Sequence, residues 1–572
     1  MKKFYILLPL VIVVLLNVNS VNAQSDKITY NGLGRSVIQN DRLNAGGDTL
    51  HGNKSNSGYT LVDEAINIKP NSTTEIQAIV RFRNEYGGFY GNGAGVTFRQ
   101  LYIKGKYNDN IRYQFGDLNL SLTKFTLFNS NADGAINEAT TFKMLTDINY
   151  YENFNSGNTW RQQGVQSDWL IPVENKKFNS IFVNGFLTRN RATNLSFPEM
   201  LFGGGSVTIK QSDYFKIGGN YVNLFSLSKT ANNSKAFFNP VITTDFKING
   251  NDSVNFNWYF KGETGMSQLK VENPTGLAGS KNDFFYELSL GGKLNSQGLL
   301  FELTYRDVGP QFYSAGAQSK RINFNATPGL FSDVTNLNLL RTPTVFDITR
   351  DKTIYNQVIS TQLMSYDMTL SNVLPYGVAT PNRTGLNANV GYSDTLEIFN
   401  AGLDVSLLKE IRGEGTDKLR NFMLVRAKAD FFLNKLINWE KVTKLTFGLQ
   451  LENTRRDDDT HTIGKVNFSS NIIDAGLDIE CLKNFDLLLG AKVLAGSGNE
   501  YGKVYNALNE ITDYSKIDNF KQQQQLLAVG AKYRFSPNIY LTLQGQKFNY
   551  NTAMSGANYD FLQIFVLFNM KF

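Results

Sequence analysis

Along most of its length the chain alternates between apolar and polar side chains, and the pattern is clearest at its end. Leu562, Ile564, Val566, Phe568, Met570 and Phe572 share one face. Gln563, Asn569 and Lys571 share the other, with Phe561, Phe565 and Leu567 among them. A period-two stripe of this length predicts a strand with lipid on one side. Working backward, the same reading puts outward stripes at Ile539–Leu543, Leu527–Phe535, Phe485–Val493, Ile473–Cys481, Leu445–Leu451, Met423–Phe431 and Phe399–Leu407. It continues upstream at Leu299–Arg306, Phe284–Leu294, Val254–Glu263, Ile242–Ile248, Phe215–Phe225 and Val207–Gln211. It weakens toward Phe178–Arg189, Gly116–Leu122, Leu101–Tyr107 and Ala78–Tyr86.

The links between strands alternate as well. Short ones around Ser393–Thr395, at Lys483-Asn484 and at Ser536–Asn538 interleave with longer polar ones at Lys409–Leu419, Arg456–Gly464, Gly496–Lys521 and Phe548–Tyr559. Short periplasmic turns and long extracellular loops are the arrangement of an outer-membrane barrel. The expected fold is therefore all-β, a transmembrane antiparallel β-barrel of about 16–20 strands, even in number. Residues 76–572 form the barrel on this reading. Between Asp307 and Thr384 the alternation breaks for far longer than an ordinary loop, and this stretch holds Pro310, Pro328, Pro343, Pro375 and Pro381. Parity makes the 307–384 insertion extracellular, either folded into the lumen or laid over the mouth, with Ile354–Leu370 able to form a short amphipathic helix. Residues 24–75, polar and rich in Gly and Asn, are expected to be a non-barrel segment, periplasmic or lumenal.

At the N-terminus Lys2 and Lys3 precede an apolar run from Ile6 to Leu16, and Val21 and Ala23 are small residues before Gln24. That is the form of a cleaved secretory signal peptide over residues 1–23: the run is short for a membrane span and its flanks suit cleavage. Export fits the composition. The chain is 13% aromatic, with 49 Gly against 12 Pro. Its mean hydropathy of -0.27 is what a barrel gives when one strand face and every loop are polar. Cys481 is the single cysteine, which excludes a disulfide framework and a thiol metal cluster.

Catalytic raw material is scarce, and an enzyme is not expected. The two histidines are His51 and His461. His461 closes the run Arg455-Arg456-Asp457-Asp458-Asp459-Thr460-His461, which reads as a solvated charged loop rather than carboxylates converging on a cleft. Asn129–Asn137 resembles the start of a calcium loop, but Asn129 and Thr140 replace its first and twelfth carboxylates, so an Asn/Gly-rich turn is expected. Gly87–Gly95 lacks the Lys-Ser/Thr of a phosphate loop. Neither metal nor cofactor is expected.

The informative chemistry is the face turned from lipid. In the well-phased strands its basic residues are Lys261, Lys293, Arg306, Arg426, Lys428, Lys492, Lys532 and Arg534. Its acidic ones are Glu263, Glu287, Glu302, Asp404, Asp430, Glu452, Asp474, Asp478, Glu480 and Asp486. A ring of one sign would argue for ion selectivity; here the signs are near balance, as in a wet channel with a transverse field or a lumen packed with ion pairs. Arg81, Arg83, Lys104 and Arg112 add positive charge from early strands.

These features together resemble an outer-membrane β-barrel protein of porin type, and the use of Asn, Lys and Ile with cleavage before Gln24 resembles such proteins from Bacteroidota. Phe568, Met570 and Phe572 resemble the C-terminal signal by which such barrels are recognised for assembly. The resemblance implies residence in the Gram-negative outer membrane, with lipid and the barrel-assembly machinery as partners, and no nucleic acid. Two functions follow: a channel for small polar solutes, or an accessory barrel of a larger secretion, assembly or uptake complex with a plugged lumen. In the second, surface proteins would bind through the long extracellular loop.

Overall fold

The computed structural model describes residues 27–572 apart from 46–52, 87–93, 131–136, 153–156, 176–177, 192–197, 228–235, 251–254, 273–277, 320–358, 364–365, 458–463, 506–510 and 554–557. The expected signal peptide, His51, His461 and most of the Gly87–Gly95 stretch lie outside the described residues. The first strands are β1 (Ile28–Ala45), β2 (Asn53–Asn71), β3 (Thr74–Glu85), β4 (Ala94–Asn108), β5 (Ile111–Leu120), β6 (Trp160–Asn175), β7 (Phe178–Arg191) and β8 (Met200–Lys210). There follow β9 (Phe215–Ser226), β10 (Ala236–Asn249), β11 (Phe256–Glu272), β12 (Ala278–Leu294), β13 (Leu299–Val308), β14 (Arg383–Ser393) and β15 (Phe399–Lys409). The last are β16 (Asn421–Phe432), β17 (Thr443–Arg456), β18 (Val466–Leu482), β19 (Phe485–Tyr505), β20 (Ile511–Ser536), β21 (Ile539–Thr552) and β22 (Tyr559–Lys571).

Each strand pairs antiparallel with its sequence neighbours, and β1 also pairs with β22, from Leu33↔Lys571 to Ala45↔Tyr559. The sheet therefore closes on itself as a 22-stranded barrel. The outer face carries the expected stripe: Leu527, Val529, Leu543 and Ile564 are exposed, as lipid-facing residues must be. Near the short turns it carries aromatic side chains, among them Tyr107, Trp169, Trp258, Trp439 and Phe535, where an interfacial girdle belongs. One of those turns, Asn295–Gly298, needs Gly298 at φ 63°.

Two expectations are corrected. The count of 16–20 strands falls short because β1, β2 and β6 escape the alternation, and residues 24–75 are not a non-barrel segment, since β1 and β2 complete the wall. β1 carries no clean stripe. Leu33, Val37 and Leu43 point inward and are buried beside Arg35 and Asp41, while its outward positions mix Tyr30 and Ile38 with Gly32, Gly34, Ser36 and Arg42. The small outward residues accept the end of the chain: a Cβ on Gly32 would strike the Asp63 carbonyl and the Phe572 ring. Gly32 and Phe572 exchange backbone hydrogen bonds, the Gly32 N–H donating over 2.8 Å. In β6 the outward face mixes Val165, Trp169 and Ile171 with Gln163 and Ser167, so no stripe forms.

Candidate solute path in the barrel lumen

Two chain segments leave the wall and enter the lumen, both from the end opposite the C-terminus. The first joins β5 to β6. Its residues Phe125 and Leu127 are fully buried, with the Phe125 ring stacked 3.9 Å from Phe285 of β12. It crosses the barrel to β16, where the Asn137 amide donates to Asp430 over 3.1 Å. There it turns into helix α1 (Thr140–Glu152). Asp474 accepts the Ala139 N–H at 2.8 Å and Asp478 accepts the Thr140 hydroxyl. Wall carboxylates thus meet the unsatisfied N–H groups and positive dipole of the helix start. Phe142 packs among Leu494, Leu526, Phe548 and Phe561, and Met144 meets Phe565 and Leu567. The apolar residues that interrupt the polar face of β22 are therefore the seat of α1.

At its far end α1 is pinned by charge. Glu152 reaches Arg35 and Arg81, and Arg81 pairs in turn with Asp63 (Nε–Oδ1 2.6 Å). Arg99 lies 3.1 Å from Asp63 and 4.5 Å over the Tyr151 ring. The Tyr151 hydroxyl donates to Asp63, and burial with that carboxylate raises its phenol above the ordinary range. Alternation in phase with Lys104 would send Arg99 to lipid. A bulge opposite Ile79/Val80 turns it inward.

The second segment is the 307–384 insertion, which leaves the wall after Val308 and returns at Arg383. Its described parts fold into the lumen. Asn239 accepts the Ala315 N–H at 2.9 Å, and Glu452 accepts the N–H groups of Asn372 and Val373 at 2.7 and 2.8 Å. The two segments also bind each other: the Phe128 N–H donates to the Gly316 carbonyl and the Ser130 N–H donates to Ser319, while the Trp160 indole of β6 donates to the same Gly316 carbonyl. The expected helix over Ile354–Leu370 is absent from its described part, where Asp367 instead caps a turn by accepting the Thr369 N–H at 2.8 Å. Burial pushes the Asp367 carboxyl up to about 6.

What the segments leave open is a cavity of about 1080 Å³ against β9–β16. It runs from turn residues Gly298 and Ser393 to Leu374 and Val378 of the insertion and to Leu122, Lys124 and Asn137 of the first segment. Of the charges read from sequence, Lys261, Lys293, Arg306, Arg426, Lys428, Glu263, Glu287, Glu302, Asp404 and Asp430 line it. Glu452, Asp474, Asp478 and Lys492 instead hold the lumen segments, Lys492 by pairing with Glu138 and Asp474. Arg534 pairs with Glu480 at 2.9 Å and Asp486 at 2.8 Å, and Lys532 stands 4.4 Å over the Tyr540 ring. Lys104 and Arg112 line a second cavity of about 530 Å³ at the short-turn end. Sequence reading missed Lys124, Lys216, Asp245 and Lys247, which also line the main cavity. Lys216, Asp245 and Lys247 sit in strands it recognised but did not phase. Of the assembly-signal residues, Phe568 lies 6.5 Å from the Phe535 ring, Met570 sits over Gly34 and Phe572 meets Gly32.

No protein-family model and no curated protein matches the chain. Among solved structures it is similar to a BenF-like porin from Pseudomonas fluorescens Pf-5, at 9% identity and TM-score 0.34, covering 95% of this chain and 99% of that one. It is also similar to Acinetobacter baumannii OccAB4, at 10% identity and TM-score 0.33 over 96% and 99% of the two chains. Pseudomonas aeruginosa OpdK, solved with vanillate, gives 8% identity and TM-score 0.33 over 95% and 99%. The fold stands on the strand pairing itself.

Proposed function

We propose that the protein is an outer-membrane channel of porin type that passes small polar solutes. The observation that carries this reading is a charge-lined cavity that reaches the short-turn rim inside a closed barrel with an apolar outer face. A closed barrel leaves no unpaired strand edge in lipid, and 22 strands enclose more width than two segments fill. Export through the signal peptide, a Bacteroidota source and assembly guided by Phe568, Met570 and Phe572 belong to the same proposal. Liposome swelling tests it: vesicles carrying the purified protein should swell in small sugars and amino acids faster than empty vesicles. Equal rates would reject passage.

One observation favours the second reading, an accessory barrel with a plugged lumen in a larger surface complex. The two segments reach across the lumen and are bound to its wall and to each other by hydrogen bonds, most of them buried. On this reading the 307–384 insertion carries partner contacts. Extraction in mild detergent should then recover a stable partner, whereas a barrel that always migrates alone would reject it.

A further inference from the structure

The charges that line the main cavity are near balance in number but not in availability. Lys216, Lys247 and Lys261 form one row across β9, β10 and β11, each in register with the next on the lumen face. Like charges directly opposite one another on a sheet repel, and in this row one carboxylate intervenes. Glu302 accepts from Lys261 at 2.6 Å and is held by the Tyr259 hydroxyl. Lys247 and Lys261 both stand 5.3 Å from the Tyr259 ring. Lys216, Lys293 on β12, Lys428 on β16 and Lys124 on the first lumen segment are exposed to the cavity from three sides.

The carboxylates are engaged. One row farther from the short turns, about 6–7 Å away along the strands, Asp245, Glu263 and Glu287 lie in register. There Asp245 accepts from Asn220 at 2.8 Å and Glu287 from Arg306 at 2.7 Å. Glu263 is withdrawn beside the Thr123 and Thr243 hydroxyls. Asp404 accepts from Asn387 at 3.2 Å, and Asp430 pairs with Lys444 at 3.0 Å. A solute entering the cavity therefore meets exposed ammonium groups, beside carboxylates that line the same cavity but are held by neighbouring side chains.

We propose that this cavity is a binding and selectivity site for small anions, carboxylates or phosphates, held by the Lys216–Lys247–Lys261 row with Lys124, Lys293 and Lys428. An anion bridging the row relieves the repulsion that the register imposes and gains charge-assisted hydrogen bonds from several ammonium groups at once. The inference rests on the channel reading for passage but not for binding, and two measurements separate them.

In planar bilayers under a KCl gradient, the reversal potential should show chloride preferred over potassium by about threefold or more. Lys216→Gln combined with Lys247→Gln, two lysines with no carboxylate partner within salt-bridge distance among the described residues, should remove most of that preference without loss of folded barrel. A conducting channel that prefers potassium, or whose preference survives the double substitution, overturns the proposal and leaves the channel standing. Calorimetric titration of the detergent-solubilised protein with inorganic phosphate and with benzoate reads binding directly. Binding of either, lost in the double variant, supports the site even in a barrel that conducts nothing, and shows which anion class it takes. Binding of neither overturns it.

Discussion

The group around Glu152 shows how single residues tie lumen contents to the wall. Glu152 is the shared partner of Arg35, Arg81 and Arg99, all buried, and Asp63 is the only other carboxylate among the described residues that pairs with these arginines. Removing one member of a buried ion cluster costs about 3–5 kcal/mol, because charge is left uncompensated. Glu152→Ala should free the end of α1, read as faster amide exchange over Thr140–Glu152 with strand protection unchanged. Protection of α1 equal to wild type would refute that role. At the seam, Gly32→Val would place a side chain against the Asp63 carbonyl and the Phe572 ring. The expected outcome is a sharply reduced yield of heat-modifiable folded barrel, whereas undiminished yield would show that closure tolerates bulk there.

Among the elements, strands with lipid on one side and water on the other were readable because their period is two. The phase carried outward from Phe572 located β7 to β13 and β15 to β22, apart from their exact ends, while β14 was implied only by the short link around Ser393–Thr395. It missed β1 because the rule behind it assumes a wet interior. Where α1 packs, inward positions turn apolar, as at Val37, Phe565 and Leu567, and the stripe blurs. Two-sided apolar strands were the one trace of the first lumen segment in the sequence, and that trace gives no partner. The Arg99 bulge left no trace at all. For the insertion, the break in alternation gave its bounds, but its place in the lumen depends on distant acceptors such as Asn239 and Glu452.

The insertion also carries a pH response. With its carboxyl raised to about 6 by burial, Asp367 favours its neutral form in the folded lumen. That contribution is fully present below the ordinary carboxylate value near 4 and is lost as pH climbs through about 6. Proteolytic nicking within 359–382 should therefore increase between about pH 4 and pH 6, and Asp367→Asn should flatten the change. A pH-independent rate in the wild type would contradict it.

For the whole molecule, a ring of 22 antiparallel strands has more lumen than a passive pore for small solutes needs. Two inserted segments narrow it, and the larger of the two cavities described lies against β9–β16. The segments set the bore and the wall sets its charge, so width and selectivity should respond to different substitutions. Removing residues 310–381 with a short Gly/Ser link between β13 and β14 should leave the barrel closed, since the β13–β14 register from Leu299↔Tyr392 to Val308↔Arg383 does not depend on them. Single-channel conductance of the purified protein in planar bilayers, wild type beside that deletion, is the most direct test of an open lumen narrowed by two segments. Discrete openings are expected in the wild type and several-fold larger ones in the deletion. A folded barrel that conducts in neither form would contradict an open lumen.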